Sequence, residues 1–195
     1  MAKVFAEMSM SLDGFIAGPN VSANNPLGDN GERLHDWMFA GKSSTETEAY
    51  EVEKFKGMGA GIMGRTMLDL GIGPWGENPT FHMPIFVLSH EAHKSITKQG
   101  GTTYYFVTGG IERALKQAEE AADGKDIMVL GGANAIQQFI RAGLLDELEI
   151  HLIATLLDGG IRLFDNLGAL KLEKTAVKDA PAVTHLRYKI AKKLK

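Results

Sequence analysis

Apolar and polar side chains alternate from residue 3 to 12. Val4, Ala6, Met8, Met10 and Leu12 share one face, and Phe5, Glu7, Ser9 and Ser11 share the other. A period of two predicts a first strand. Asp13-Gly14 predicts a tight turn, with Phe15, Ile16 and Ala17 returning briefly before Gly18-Pro19-Asn20 ends the run. Residues 18–34 are dense in Gly, Pro, Asn, Ser and Asp and predict a long loop, a kind of segment that commonly carries function. An aromatic and acidic stretch, His35-Asp36-Trp37-Met38-Phe39, follows it. A helix is expected after Ser43, with Ser44 and Thr47 among its possible caps. Ala49, Val52 and Phe55 form its inner stripe, and Glu46, Glu48, Glu51 and Glu53 a solvated outer face.

Further strands are predicted over 59–63, 84–89 and 104–107, and a short helix over 66–70. Residues 71–83 read as loop. Ile111, Leu115, Ala118 and Ala122 recur at helical spacing before Asp123-Gly124. Residues 126–160 hold the unit around which the rest is arranged. Its apolar run over 127–130 has the length of a buried strand, and Gly131-Gly132 interrupts it. Ala135, Ile136, Phe139 and Ile140 then form a helical stripe that Gly143 is placed to cap. Leu148, Ile150 and Leu152 alternate with Glu147, Glu149 and His151, predicting a strand with one apolar and one polar face. A further glycine turn at 158–160 leads into 161–164, and two alternating strands, 170–177 and 184–190, close the chain.

Strands alternating with helices, then strands meandering, predict one α/β layered domain over residues 1–195 with a mixed sheet. No composition break or repeat argues for a second domain. Hydrophobic residues make up 44% and charged residues 23% of the 195 positions, so the chain reads as globular. The net charge of -3 gives no electrostatic case for nucleic acid. Lys192, Lys193 and Lys195 read as a solvated tail. There is no cysteine, hence no disulfide, thiolate metal site or cysteine nucleophile, which fits a reducing compartment. No run approaches the roughly 18 apolar residues of a membrane span. Glu7 breaks the stretch a signal peptide would need, so a soluble cytoplasmic protein is expected.

Candidate chemistry is concentrated in glycine turns. Gly131-Gly132 before a helix lets backbone approach a ligand, and the helix start presents N–H groups and the positive end of a dipole, a seat for phosphate. A simple tight strand-to-helix connection has the same pattern. Arg65 stands at a strand-to-helix turn behind Gly64, and Ser89 at the next strand end. An Arg fork with a hydroxyl suits a phosphate monoester such as the 2′-phosphate of NADP. The alternative is an Arg paired with a surface acid and a Ser used as a cap. Two G-x-G-x-x-G matches, at 59–64 and 71–76, lack the strand-then-helix context of a Rossmann turn. The histidines at 35, 82, 90, 93, 151 and 185 are scattered. His90 and His93, three apart, read as a surface pair, and no metal site is expected.

Jointly these segments resemble the dihydrofolate-reductase-like family. Ser11-Leu12-Asp13-Gly14-Phe15-Ile16-Ala17 resembles its first strand and turn. Ile62-Met63-Gly64-Arg65-Thr66 and Val87-Leu88-Ser89 resemble later cofactor segments, and Val129-Leu130-Gly131-Gly132-Ala133 its pyrophosphate turn. Residues 142–148 and 156–164 are similar to one branch, the reductase domain of the bifunctional riboflavin-biosynthesis deaminase–reductase and its stand-alone relatives. Each motif is weak alone; their order and spacing along nearly the whole chain are specific.

The resemblance implies an α/β, three-layer sandwich with a mixed, mostly parallel central sheet and antiparallel C-terminal strands. It implies NADPH as cofactor and a small heterocyclic substrate, pterin-like or ribosylaminopyrimidine-like, as in dihydrofolate reductase or 5-amino-6-(5-phosphoribosylamino)uracil reductase. A homodimer is also implied. Carried over, Gly64, Arg65, Thr66 and Ser89 hold the adenosine 2′-phosphate, and Gly131, Gly132, Ala133 and Asn134 the pyrophosphate. Ile16 and Ala17 lie near the nicotinamide. Reduction of a C=N bond also needs a proton. Asp36 is the expected acid, with Asp13 as runner-up or as a residue that fixes its turn. An NADP(H)-binding sensor or interaction module without turnover is the competing reading. The chain departs from the branch at Ala154, where Pro is common, and at Asp158, where Gly is common; Asp158 is expected to tolerate a left-handed conformation.

Overall fold

A computed structural model describes residues 2–39 and 55–191. The helix expected after Ser43, with its glutamate face, lies outside the described residues up to position 54, as do Lys192, Lys193 and Lys195. Phe55, the last residue of that expected stripe, packs edge-on against Phe81 at 5.1 Å.

The chain forms a nine-stranded sheet in the order β10-β11-β8-β1-β7-β3-β4-β6-β5. Its central strands are β1 (Val4–Ser11), β3 (Met58–Gly64), β4 (Pro84–Leu88), β6 (Thr103–Val107), β7 (Asp126–Gly131) and β8 (Glu147–Ile153), with β5 (Ile96–Thr97) at one edge. Neighbours from β8 through β1, β7, β3 and β4 to β6 pair in parallel. The C-terminal strands β10 (Leu172–Ala180) and β11 (Val183–Ile190) add antiparallel pairs beside β8. This is the mixed, mostly parallel sheet of a dihydrofolate-reductase-like fold.

Helices cover both faces. On one, α3 (Gly110–Ala122) and α4 (Ala133–Ala142) bury Ile111, Leu115, Ala118, Ala135, Ile136, Phe139 and Ile140 against Ala60, Ile62, Val129 and Leu148. The predicted stripes are thus the buried ones, because i, i+3 and i+4 positions fall on one side of a helix. On the other face α2 (Arg65–Gly71) sets Leu68 among Met63, Ile85, Val87 and Tyr104. Burial pushes the Tyr104 hydroxyl up to about 12. Gly143 ends α4 in the left-handed conformation, with its N–H and that of Leu144 donating to the carbonyls of Ile140 and Phe139.

Two local expectations change. Beyond Asp13-Gly14 the chain does not return along β1. The strand β2 (Phe15–Ala17) pairs instead with β9 (Ile161–Arg162) in a separate two-stranded sheet. The Phe15 N–H donates to the Ser11 hydroxyl, and Leu12 N–H to the Thr155 carbonyl, which turn the chain toward the 155–163 segment. His151, expected on a solvated face, is only 5% exposed. β8 is an interior strand between β1 and β11, and the Trp37 ring lies 4.8 Å from the imidazole. The loop after Ala17 is knotted by Asp29, whose carboxylate accepts from the Asn20 and Asn25 side chains, and ends at fully buried Leu34.

Candidate functional site

The parallel strands end on one edge of the sheet, the place where open α/β sheets bind ligands. Two glycine segments converge there. β7 ends at Gly131, level with Met63 of β3. A Cβ added to Gly64 would lie 3.9 Å from both the Gly131 carbonyl oxygen and the Gly132 nitrogen. Gly131 has φ 131°, a backbone region that L side chains rarely adopt. The Gly132 Cβ position meets no atom within 4 Å, so this turn presents bare backbone to open space. Gly132 is the N-cap of α4, which has no side-chain cap and no acidic residue in its first turn. Its first N–H groups therefore have no side-chain cap, an arrangement whose positive dipole end can receive an anion.

The β3–β4 register, Gly64 with Leu88, sets Arg65 and Ser89 just past two neighbouring strand ends. The Arg65 Nε donates to Asp69 at 2.7 Å, and Nη1 donates to His93 Nε2 at 2.7 Å. An Arg cannot accept, so the His93 proton is on Nδ1. The guanidinium lies 5.4 Å from the Phe106 ring centre. Ser89 Oγ donates to the Glu91 carbonyl and accepts from the Glu91 N–H, closing a local turn. Thr66 is exposed in the first turn of α2. Ile16 shares the buried cluster of Ala133 and Ile136. Asn134 is exposed and accepts from the Gln138 side chain. The residues expected at the pyrophosphate and at the 2′-phosphate thus occupy adjacent ends of one sheet edge.

The two candidate acids differ. Asp13 is built into the fold. Its carboxylate accepts from the Ser11 hydroxyl at 2.5 Å and from the N–H groups of Leu157 and Asp158 at 3.2 and 2.9 Å. The Ser11 hydrogen bond, helped by those two amides against desolvation, holds its pKa below the ordinary value. Asp158 sits at φ 56°, the left-handed conformation expected of it. Asp36 is exposed in the first turn of α1 (Asp36–Phe39).

Because the Asp13 pKa is lowered, its contribution to stability is complete above the ordinary carboxylate value and is lost as pH falls through the lowered one. Asp13→Asn is expected to lower the melting temperature at pH 7, with the difference from the parent shrinking only as pH falls below about 4 and on through the lowered pKa of Asp13. Thermal melts across pH check this; a constant difference down to pH 2 contradicts it.

A cluster that the sequence kept apart lies on the same sheet face as Ser9. His151 Nε2 is 2.6 Å from Glu7 Oε1, and its Nδ1 is 2.7 Å from His185 Nδ1. The Trp37 indole N–H donates to Ser9 Oγ at 3.2 Å, and its ring packs against both imidazoles. Arg187 donates through Nε and Nη2 to one oxygen of Glu149, which raises the pKa of the guanidinium further. Desolvation, then the neighbouring His151, lowers the His185 pKa. Sequence reading missed this group because Glu7, His151 and His185 lie on three separate strands. The one available signal was a histidine in an otherwise apolar-acidic strand.

Sheet order, helix placement and the glycine edge together define a dihydrofolate-reductase-like α/β protein. The sequence matches the RibD C-terminal domain over residues 2–186, and the chain belongs to that family. It is 24% identical over 166 residues to the uncharacterized protein YyaP of Bacillus subtilis, covering 83% of this chain and 80% of YyaP. A putative riboflavin biosynthesis protein from Shewanella sp. PV-4 shares the fold with a TM-score of 0.73 and 24% identity over 98% of this chain and 99% of that one. Dihydrofolate reductase from Enterococcus faecalis, complexed with NADP(H) and RAB-propyl, shares it with a TM-score of 0.58 and 14% identity over 96% of each chain. Family and fold support a reductase-type role. Among the described residues no helix is long and apolar enough to cross a membrane.

Proposed function

We propose that this protein is an NADPH-dependent reductase of a small heterocycle, pterin-like or ribosylaminopyrimidine-like. The observation that carries the reading is the bare glycine turn at Gly131-Gly132, open above Gly132 and set at an uncapped helix start next to Gly64. A dinucleotide pyrophosphate needs such a surface of N–H groups and no side chain. Ala133 and Asn134 open the helix that binds it. Arg65, with Thr66 and Ser89, takes the 2′-phosphate; Nε and Nη1 stay with Asp69 and His93, and Nη2 is left for a phosphate oxygen. Ile16 and Ala17 flank the nicotinamide. The Enterococcus reductase, which shares the fold and is complexed with NADP(H), supports the choice of cofactor.

NADPH supplies the hydride when bound. The chain supplies position: a donor held against its acceptor loses little further entropy on reaction. The accompanying proton is assigned to Asp36, directly or through water, since the Asp13 carboxylate is engaged by Ser11, Leu157 and Asp158.

Two measurements test the reading. In a thermal-shift titration, NADPH is expected to raise the melting temperature and NADH to raise it much less. A ligand at a hundred times its Kd adds about 2.7 kcal/mol. No shift with either means that the glycine edge is structural. Arg65→Ala removes a charged hydrogen bond worth about 1.5–3 kcal/mol. It is expected to weaken NADPH roughly tenfold to a hundredfold and to leave NADH almost unchanged. Equal losses for both cofactors would remove Arg65 from the 2′-phosphate.

A further inference from the structure

We infer that Glu149, His151 and His185 form a binding site for a single divalent transition-metal ion of the zinc type. The inference is independent of the cofactor reading. It begins with register. β8 and β11 are antiparallel, and His151 is paired directly with His185. Glu149, two residues earlier on β8, projects to the same face and is paired with Arg187. One ligand atom from each of the three lies within 4.8 Å of the others.

The two imidazoles face each other through Nδ1 at 2.7 Å. The Glu7 carboxylate accepts at 2.6 Å from His151 Nε2, which assigns the His151 proton to Nε2 and leaves the Nδ1 lone pair pointing at His185. With both rings neutral, His185 then carries its proton on Nδ1. Moving that proton to His185 Nε2 turns both Nδ1 atoms into ligands without changing the charge of either ring. A zinc ion with bonds of about 2.0–2.1 Å holds two nitrogens roughly 3.3 Å apart. The pair, 2.7 Å apart, therefore has to open by roughly 0.6 Å, while the carboxylate, within 4.8 Å, closes by up to about 1.5 Å.

Two of the ligands already have the outer partners that metal sites use. Glu7 orients the His151 ring, as a carboxylate does behind a zinc-bound imidazole. Arg187 donates twice to Glu149 Oε2, fixing the carboxylate while Oε1 takes neither bond. Trp37 packs on both rings at 4.8 and 5.1 Å and limits their rotation. Two neutral imidazoles and a carboxylate suit zinc, and they leave a fourth position open. Glu149, His151 and His185 line a cavity of about 390 Å³, together with Glu7, Lys178 and Arg187. The two carboxylates balance the ion, and the two cations favour water, hydroxide or a small anion at the fourth position.

The test is calorimetric titration of the full chain with Zn²⁺ after chelator treatment, with Co²⁺ absorption as a readout of coordination geometry. One equivalent is expected to bind with a dissociation constant at or below about 1 µM. The Co²⁺ adduct is expected to show the intense visible bands of a four-coordinate site. His185→Ala, at a half-buried position on β11, is expected to keep its circular dichroism and melting behaviour and to lose more than about a hundredfold in affinity. Glu149→Gln is expected to lose at least tenfold. His90→Ala is expected to bind as the parent does. The inference is overturned if the parent binds no stoichiometric Zn²⁺, or if folded His185→Ala binds it equally well.

Discussion

Gly132→Asp is expected to abolish detectable NADPH binding while leaving the protein as stable as its parent. The Cβ position meets nothing within 4 Å, and the φ of -47° is one that any residue adopts. Asp is a favoured N-cap, so α4 gains a few tenths of a kcal/mol over Gly. The same carboxylate would stand where the pyrophosphate is proposed to lie. Two unit charges about 4 Å apart at a partly exposed site repel by about 4 kcal/mol. That is roughly a thousandfold in Kd, before steric exclusion is counted. Melting curves with and without NADPH check both halves at once. An unchanged melting temperature with no NADPH shift is the expected pair of results. A retained NADPH shift would remove the glycine turn from the pyrophosphate site.

Phe139→Ala is expected to have the largest effect on stability. The ring is fully buried on α4, in the cluster that includes Val129, Ile136 and Leu148. Emptying such a site costs about 3–5 kcal/mol, from lost transfer energy and the cavity left behind. Domains of this length lose about 2–4 °C per kcal/mol, which gives a drop of roughly 6–20 °C. Urea unfolding at constant slope measures it directly. A loss under about 1 kcal/mol would mean that α4 does not pack as described. Since α4 also presents the proposed anion seat at its N-terminus, this packing is what holds the seat against β7.

Much of the fold was legible in period and punctuation. β1, β3, β4, β6, β7, β8 and the helices α2, α3 and α4 fall where alternation, short apolar runs and helical stripes put them, because β3, β4 and β7 are buried on both faces while the helices bury one. The glycine edge was legible for a local reason: Gly131-Gly132 ends a strand and opens a helix, which is written in consecutive residues. The partner of β2 was not legible. Asp13-Gly14 has the sequence of a hairpin turn, and only the bonds of Leu12 and Asp13 to the distant 155–158 segment decide otherwise. Gln137 was also silent, since its buried amide acts at long range, donating to the carbonyls of Arg162 and Leu163.

The chain by itself determined the element types, the helix faces, the glycine turns and the family resemblance, all of which rest on neighbours within a few residues or on motif order. Tertiary structure alone decided which side chains meet. It tied Asp13 to the 157–158 turn, and it paired Arg65 with Asp69 and His93. It also brought Glu7, His151 and His185 together from strands β1, β8 and β11. The physical reason is pairing. Strand order and register are chosen by the packing of the whole sheet, so a contact such as that of Glu7 with His151, 144 positions apart, leaves no local trace in the sequence.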